Sequence, residues 1–230
     1  MFETSLRRPA AFVNWLRRSQ YYWALAGILI YNYWLVGIVL NWPATRAGAT
    51  TSELSAAGQP HAYLFRLGDI VAGLALLLGA NQLAALGSTR RQQLFLKFAM
   101  SVFAISTVVD ALLPLDCSAA LSQACARREH LGHVSWQHLL HLAESPIAYI
   151  LIFLIPVVVI RSYWRVRPRP TIWLASWLLL AVIALWMIAT LVRLALGSDS
   201  FGYEQRIFTV LFTAWFIVAI RAAKTATSKS

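Results

Sequence analysis

The chain has 230 residues, 59% of them hydrophobic and 13% charged, with a formal net charge of +11 and a mean hydropathy of +0.62. Such a balance excludes an ordinary soluble domain and indicates a polytopic membrane protein. The positive charge is split among short segments, which excludes a nucleic-acid partner and fits the anionic surface of a cytoplasmic leaflet.

Six apolar runs are long enough to cross a hydrocarbon core, so the expected fold is all-α with about six transmembrane helices. Residues 1–22 form a basic N-terminus with Arg7, Arg8, Arg17 and Arg18, and Trp23–Trp42 follows as the first span. Its length exceeds a signal-peptide core, so it reads as a retained anchor. The other runs are Tyr63–Leu86, Phe95–Leu115, Leu139–Ile160, Ile172–Leu196 and Ile207–Ala223. They give one domain over 23–223, outer loops near 43–62, 116–138 and 197–206, and a tail at 224–230.

Fourteen of the twenty Lys and Arg residues fall on one side: Arg7, Arg8, Arg17, Arg18, Arg90, Arg91, Lys97, Arg161, Arg165, Arg167, Arg169, Arg221, Lys224 and Lys229. Both termini are therefore expected in the cytoplasm of a plasma membrane, in bacteria the inner membrane. Eight of nine acidic residues and all five histidines lie toward the opposite, outer side. Acids and histidines do not set topology, so their sorting points to the outer face as the place of recognition or chemistry.

In the first outer loop, Ser52 and Ser55 flank Glu53, and Gly58 and Pro60 punctuate a turn. The second span then carries Arg66 and Asp69, three apart and on one face. Asp110 lies at the outer end of the third span. The next loop holds the only cysteines, Cys117 and Cys125, and an oxidising exterior favours a disulfide between them. A zinc site adding His130 and His133 ranks below it, because the spacing is not that of a zinc finger.

At the fourth span Ser135 is an expected N-cap, and His138, His141 and Ser145 fall within roughly 60° of one another around the helix, with Glu144 next to them. Pro146 removes one backbone donor just beyond. Arg193 and Arg206 lie at the outer ends of the last two spans, so five helices bring charge to one depth.

Three readings of this constellation stand open. In the first, Arg66, Arg193 and Arg206 pair with Asp69, Asp110 and Glu144 as structural fasteners. The second is catalytic: His138 and His141, with Asp69 and Asp110, hold zinc or another divalent metal whose bound water is activated, Glu144 acts as base, and the arginines clamp an anionic headgroup. A metal-free variant uses Ser135, Ser145, Ser52 or Ser55 as nucleophile with a histidine base. The third is binding without turnover in a pocket of Glu53, Arg66, Asp69, Asp110, His138, His141, Glu144, Arg193 and Arg206. An anionic, amphipathic lipid headgroup is its expected ligand. A transporter fits less well, since its charges belong near the midplane. Partners are expected to be membrane lipids, and either a membrane-protein partner or a homo-oligomer; a protein that only binds would serve as an accessory subunit of a membrane complex, with Trp173, Trp177 and Trp186 offering the partner surface.

Ser52-Glu53-Leu54-Ser55 with its following glycine and proline, the His138, His141 and Ser145 set, and Gly202-Tyr203-Glu204-Gln205-Arg206 at the last span together resemble the multi-spanning membrane family of domain of unknown function 998. The resemblance runs from about Trp23 to Arg221 and implies about six helices with an outward polar site. A comparison with alkaline ceramidases and progestin-type receptors, whose intramembrane metal is held by histidines and an aspartate near a serine, is analogy only. A second histidine pair on a late helix is missing, and six spans rather than seven are evident.

Overall fold

The computed structural model of the protein describes residues 8–195 and 201–227, with side chains over 19–189, 192 and 202–226. The side chain of Arg193 and the start of the 197–206 loop lie outside these residues. Described in order are α1 (Arg8–Ile30), a 3-10 turn (Tyr33–Val36), α2 (Gly37–Leu40), α3 (Trp42–Arg46), a second 3-10 turn (Ser52–Ser55), α4 (Ala62–Gly79), α5 (Asn81–Ala84), α6 (Arg90–Leu112), α7 (Gln123–His130), α8 (Trp136–Ser162), α9 (Thr171–Ala195) and α10 (Phe201–Thr227).

Six stretches are long and apolar enough to cross a membrane: Ser19–Leu40, Ala62–Ala84, Arg90–Leu112, Trp136–Ser162, Thr171–Ala189 and Gly202–Ala226. All six predicted runs are thus helical, and their ends move for local reasons. α6 begins at Arg90 because Thr89 and Gln92 form a reciprocal capping box. It stops at Leu112, two residues before Pro114. Ser135 caps α8 as predicted, accepting from the His138 amide at 3.2 Å. The helix of the first span begins earlier than its apolar run, at Arg8, and α10 starts at Phe201, six residues before the last apolar run.

The spans pack as a closed ring in the order α1, α4, α6, α8, α9, α10 and back to α1. Ile28, Leu76, Met100, Phe103, Ile152, Phe212 and Phe216 fill its interior. Lipid tails are as apolar as these side chains, so close backbone approach and a few polar bonds hold the ring, rather than transfer from water. Trp215 Nε1 donates to Ser176 Oγ at 3.0 Å between α10 and α9. Asn32 Nδ2 donates to Thr213 Oγ1 at 2.8 Å between the end of the first span and α10.

The closest approach in the ring is between α1 and α4. A Cβ on Gly79 would meet the Ala24 amide nitrogen at 2.4 Å and its Cα at 2.6 Å, contacts with backbone that no rotamer relieves. Gly79→Leu is therefore expected to destabilise the ring by about 1–3 kcal/mol or more, seen as a fall of several degrees in the melting temperature of the detergent-solubilised protein. Gly58→Leu, where nothing lies within 4 Å, is expected to cost less, through its left-handed backbone alone.

Candidate functional site

At the end of the ring where the acids and histidines gather, two loops fold over the helices. The segment 47–61 is fastened chiefly by Glu53, a buried carboxylate that accepts four hydrogen bonds. Oε2 takes the Thr50 amide at 2.7 Å and the Thr50 hydroxyl at 3.1 Å, and Oε1 takes Ser118 Oγ at 3.0 Å and the Ala120 amide at 2.8 Å. Both loops thus share one anion. The second loop is closed by the expected Cys117–Cys125 disulfide, with Cα atoms 6.0 Å apart. The Ala57 amide adds a 2.8 Å bond to the Leu115 carbonyl.

The first turns of α10 are helical despite their polarity because nearly every side chain there docks on the first loop. Gly202 lies so close that a Cβ would meet the Gly48 carbonyl oxygen at 1.9 Å. The Tyr203 hydroxyl donates to the Arg46 carbonyl. Gln205 Oε1 accepts from the Thr51 amide at 2.8 Å, while its Nε2 donates to the Tyr149 hydroxyl of α8 at 3.0 Å. Arg206, buried beside the Trp34 ring, donates to the Thr45 and Ala49 carbonyls at 3.0 and 2.6 Å. Arg66 Nε donates to the Ser55 carbonyl at 2.9 Å. Among the described residues neither guanidinium pairs with a carboxylate, so Arg66 and Arg206 serve the loop backbone instead of the expected salt bridges.

His138 and His141, one turn apart on α8, are engaged differently. The Asp116 amide can only donate, so His138 Nδ1 accepts it at 3.1 Å, leaving Nε2 to carry the hydrogen toward Glu129 Oε2 at 3.3 Å. Asp116 also accepts from the Ser135 amide at 2.7 Å and the Ser135 hydroxyl at 2.6 Å. The Ser135 hydroxyl, with help from its amide, His138 and Arg128, holds the Asp116 carboxyl below the usual carboxylate range. His141 has the opposite tautomer. The Leu113 carbonyl can only accept, so Nδ1, 2.9 Å away, carries the hydrogen, and Asp110 Oδ1 lies 3.3 Å from the same nitrogen. Nε2 is left as a buried acceptor without a hydrogen-bond partner, on a side chain 2% exposed.

Below this layer lie the remaining predicted groups. Ser106 of α6 donates to Glu144, which also sits against Asp110. Ser145 Oγ donates to the His141 carbonyl at 3.0 Å. Asp69 is buried against the Tyr33 hydroxyl. Asp69, Asp110 and Ser145 line a small chamber of ≈ 30 Å³ together with Tyr31, Tyr33, Ser106, Tyr149 and Gln205. Ser52, Ser145, Tyr149 and Gln205 also line a cleft of ≈ 1170 Å³ that runs between α8, α9 and α10. Its polar end includes Glu53, Glu129, His141 and Glu204, and its walls are apolar, with Leu142, Ile150, Phe153, Ile183, Trp186 and Phe208 among them.

The expected metal set is not assembled. His138 faces the second loop, His141 faces the α6 terminus, and Asp69 lies against Tyr33; among the described residues no three His, Cys, Asp or Glu side chains converge to hold an ion. His138, His141, Asp69 and Asp110 do not fit a shared divalent metal, and no reaction step is derived through one. The sequence reading missed Asp116, Ser118, Tyr31, Tyr33, Tyr149 and Gln205. The tyrosines lie inside or beside apolar runs with no local pattern to single them out, and only Gln205, inside a polar stretch opening a span, carried a local signal.

Two outcomes follow. Glu53→Ala removes an acceptor and strands four donors, so it is expected to cost about 2–4 kcal/mol and to lower the melting temperature more than Glu53→Gln, which keeps one oxygen. The stability contributed by Asp116 is complete above the ordinary carboxylate range near ~4 and lost as pH falls below it, because its folded pKa is depressed. Acid melting curves should therefore show a stability loss below ~4 that is smaller in Asp116→Asn.

Neither the curated proteins nor the solved structures compared with the chain give a match. A family model described as "Protein of unknown function (DUF998)" matches residues 24–222. That match takes in four spans whole and most of the first and last, with both loops at the capped end, including the Glu53 loop and the docked start of α10, and the chain belongs to the DUF998 family.

Proposed function

We propose that the protein binds a membrane lipid from the outer leaflet of a plasma membrane, in bacteria the inner membrane, without turnover. The carrying observation is one cleft that is apolar over the span depth and polar at the capped end. An acyl chain suits walls of leucine, isoleucine and phenylalanine, and a headgroup suits the end lined by Glu53, His141 and Ser145. The Lys and Arg distribution supports cytoplasmic termini and, with them, an outward-facing position for that end. Glu53 belongs to this site as the support of its rim, with Arg66 and Arg206 behind it. The expected anionic headgroup rested on the arginines, and the two whose side chains are described are turned onto loop carbonyls. The reading kept here is therefore of an amphipathic lipid whose headgroup meets acceptors.

A hydrolase draws less support. Ser145 Oγ donates to the His141 carbonyl of its own helix at 3.0 Å and lies 3.4 Å from Glu144 Oε1, so among the described residues the expected serine–histidine pair is not formed. An accessory-subunit role has no particular observation in its favour.

The test is lipid retention. The detergent-purified protein should carry about one lipid per chain in native mass spectrometry. Ile150→Trp and Met187→Trp, which fill the cleft from half-exposed wall positions, should lose most of it while melting within a few degrees of wild type. Retention unchanged in both variants would place the lipid elsewhere and overturn the reading.

A further inference from the structure

The lipid-binding reading leaves open what is recognised where the polar end of the cleft passes into its apolar walls, and Pro146 lies at that level. Leu142, Pro146, Ile150 and Phe153 follow one another about a turn apart on α8, and all four line the cleft. Proline carries no N–H. The bond that residue 146 would donate to the Leu142 carbonyl is therefore missing, and the ring crowds that carbonyl away from its helical position. Leu142 is 39% exposed, and among the described residues no side chain donates to its carbonyl.

Ser145 stands beside this oxygen on the same wall. Its hydroxyl hydrogen is directed at the His141 carbonyl, 3.0 Å away, so toward the cleft it can only accept. The second proline of α8 shows what is particular to the first. Pro156 is buried, and the carbonyl that it frees belongs to Ile152, 1% exposed within the apolar interior of the ring. The carbonyl freed by Pro146 belongs instead to a residue that borders a cleft of ≈ 1170 Å³. An acceptor without its donor in an apolar wall is costly until a donor reaches it.

Depth selects the kind of donor. Leu142 lies about 10 Å along the axis from the Ser135 cap, beneath the polar end and above the apolar stretch of Ile150 and Phe153. A cation brought there would exchange its hydration for two neutral acceptors, which is unfavourable. A hydroxyl at the junction of headgroup and chain reaches that depth without further cost when the headgroup occupies the polar end. Diacyl phospholipids have no glycerol hydroxyl at this junction, and a diacylglycerol has no headgroup for the polar end.

We infer that the cleft selects a monoacyl glycerophospholipid, its free glycerol hydroxyl donating to the Leu142 carbonyl. Leu142 and Ser145 are binding residues in this arrangement, and Pro146 is a positioning residue that acts by leaving the carbonyl without its helical partner. The inference rests on the lipid-binding reading and is tested separately from it.

The experiment offers the purified full-length protein an equimolar mixture of monoacyl phosphatidylethanolamine, its analogues with the glycerol hydroxyl removed or methylated, and a diacylglycerol, all with the same acyl chain. Native mass spectrometry quantifies what is retained. The free-hydroxyl lipid is expected to exceed both analogues by about fivefold, the worth of one neutral hydrogen bond, and to exceed the diacylglycerol. Pro146→Ala supplies the missing N–H to Leu142, so the preference should fall to near parity while total lipid persists; Pro156→Ala should keep the wild-type preference. Equal retention of the hydroxyl lipid and its deoxy analogue by wild type would overturn the inference and leave lipid binding standing. Retention of no lipid of any class would remove both. Diacylglycerol retained in excess would overturn the monoacyl assignment. A preference that survives in Pro146→Ala would overturn the role of the Leu142 carbonyl, and if that variant melts early Pro146→Leu, which restores the same N–H, is read in its place.

Discussion

Everything at the loop-capped end of the bundle depends on the anion of Glu53. A carboxylate withdrawn from solvent persists only when its lone pairs are met, and here two backbone amides and two hydroxyls meet them. The donors come from two loops far apart in the chain, so the side chain does more than stabilise its own turn: it fixes the distance between the loops. The disulfide shortens the second loop so that Ser118 and Ala120 are presented together, and Arg206 and Gln205 anchor the first loop to α10. A rim built this way is rigid, and a rigid rim gives the cleft beneath it a defined mouth.

The same arrangement explains why two histidines on one helix face have different chemistry. His138 meets a backbone amide and becomes a donor toward Glu129; His141 meets a backbone carbonyl and becomes an acceptor toward the cleft. Neither imidazole chooses its state in isolation. Each is set by whichever peptide group the loop after α6 places beside it, Asp116 N–H in one case and Leu113 C=O in the other. The helix repeats every 3.6 residues, but the loop does not, and that mismatch separates a histidine engaged at both nitrogens from one, a turn below, that is engaged at Nδ1 alone.

Hydropathy made the six spans legible, as did the Cys117–Cys125 pairing from its outer position and the Ser135 cap from residue type. The start of α10 was not legible as helix, because residues 202–206 are polar and are held helical by contacts with a loop about 150 residues earlier. Helical angle also put His138, His141 and Ser145 on one face, which is correct, yet angle says nothing of what the neighbouring loop offers. For that reason a shared metal looked reasonable from the sequence and is not what the side chains form. Likewise, depth in the membrane identified Arg66 and Arg206 as costly cations in need of partners. It did not reveal that backbone carbonyls, which no sequence pattern distinguishes, would supply them.

The docking of the 47–61 loop on α10 bears on the order of synthesis. Thr45, Ala49 and Thr51 leave the ribosome well before Gln205 and Arg206, which follow them by 154 to 161 residues. Until the last span has been threaded, the Thr45 and Ala49 carbonyls and the Thr51 amide lack these partners. The mouth of the cleft is therefore completed only after the rest of the bundle has entered the bilayer, so a nascent chain passes through most of its biogenesis with that end open.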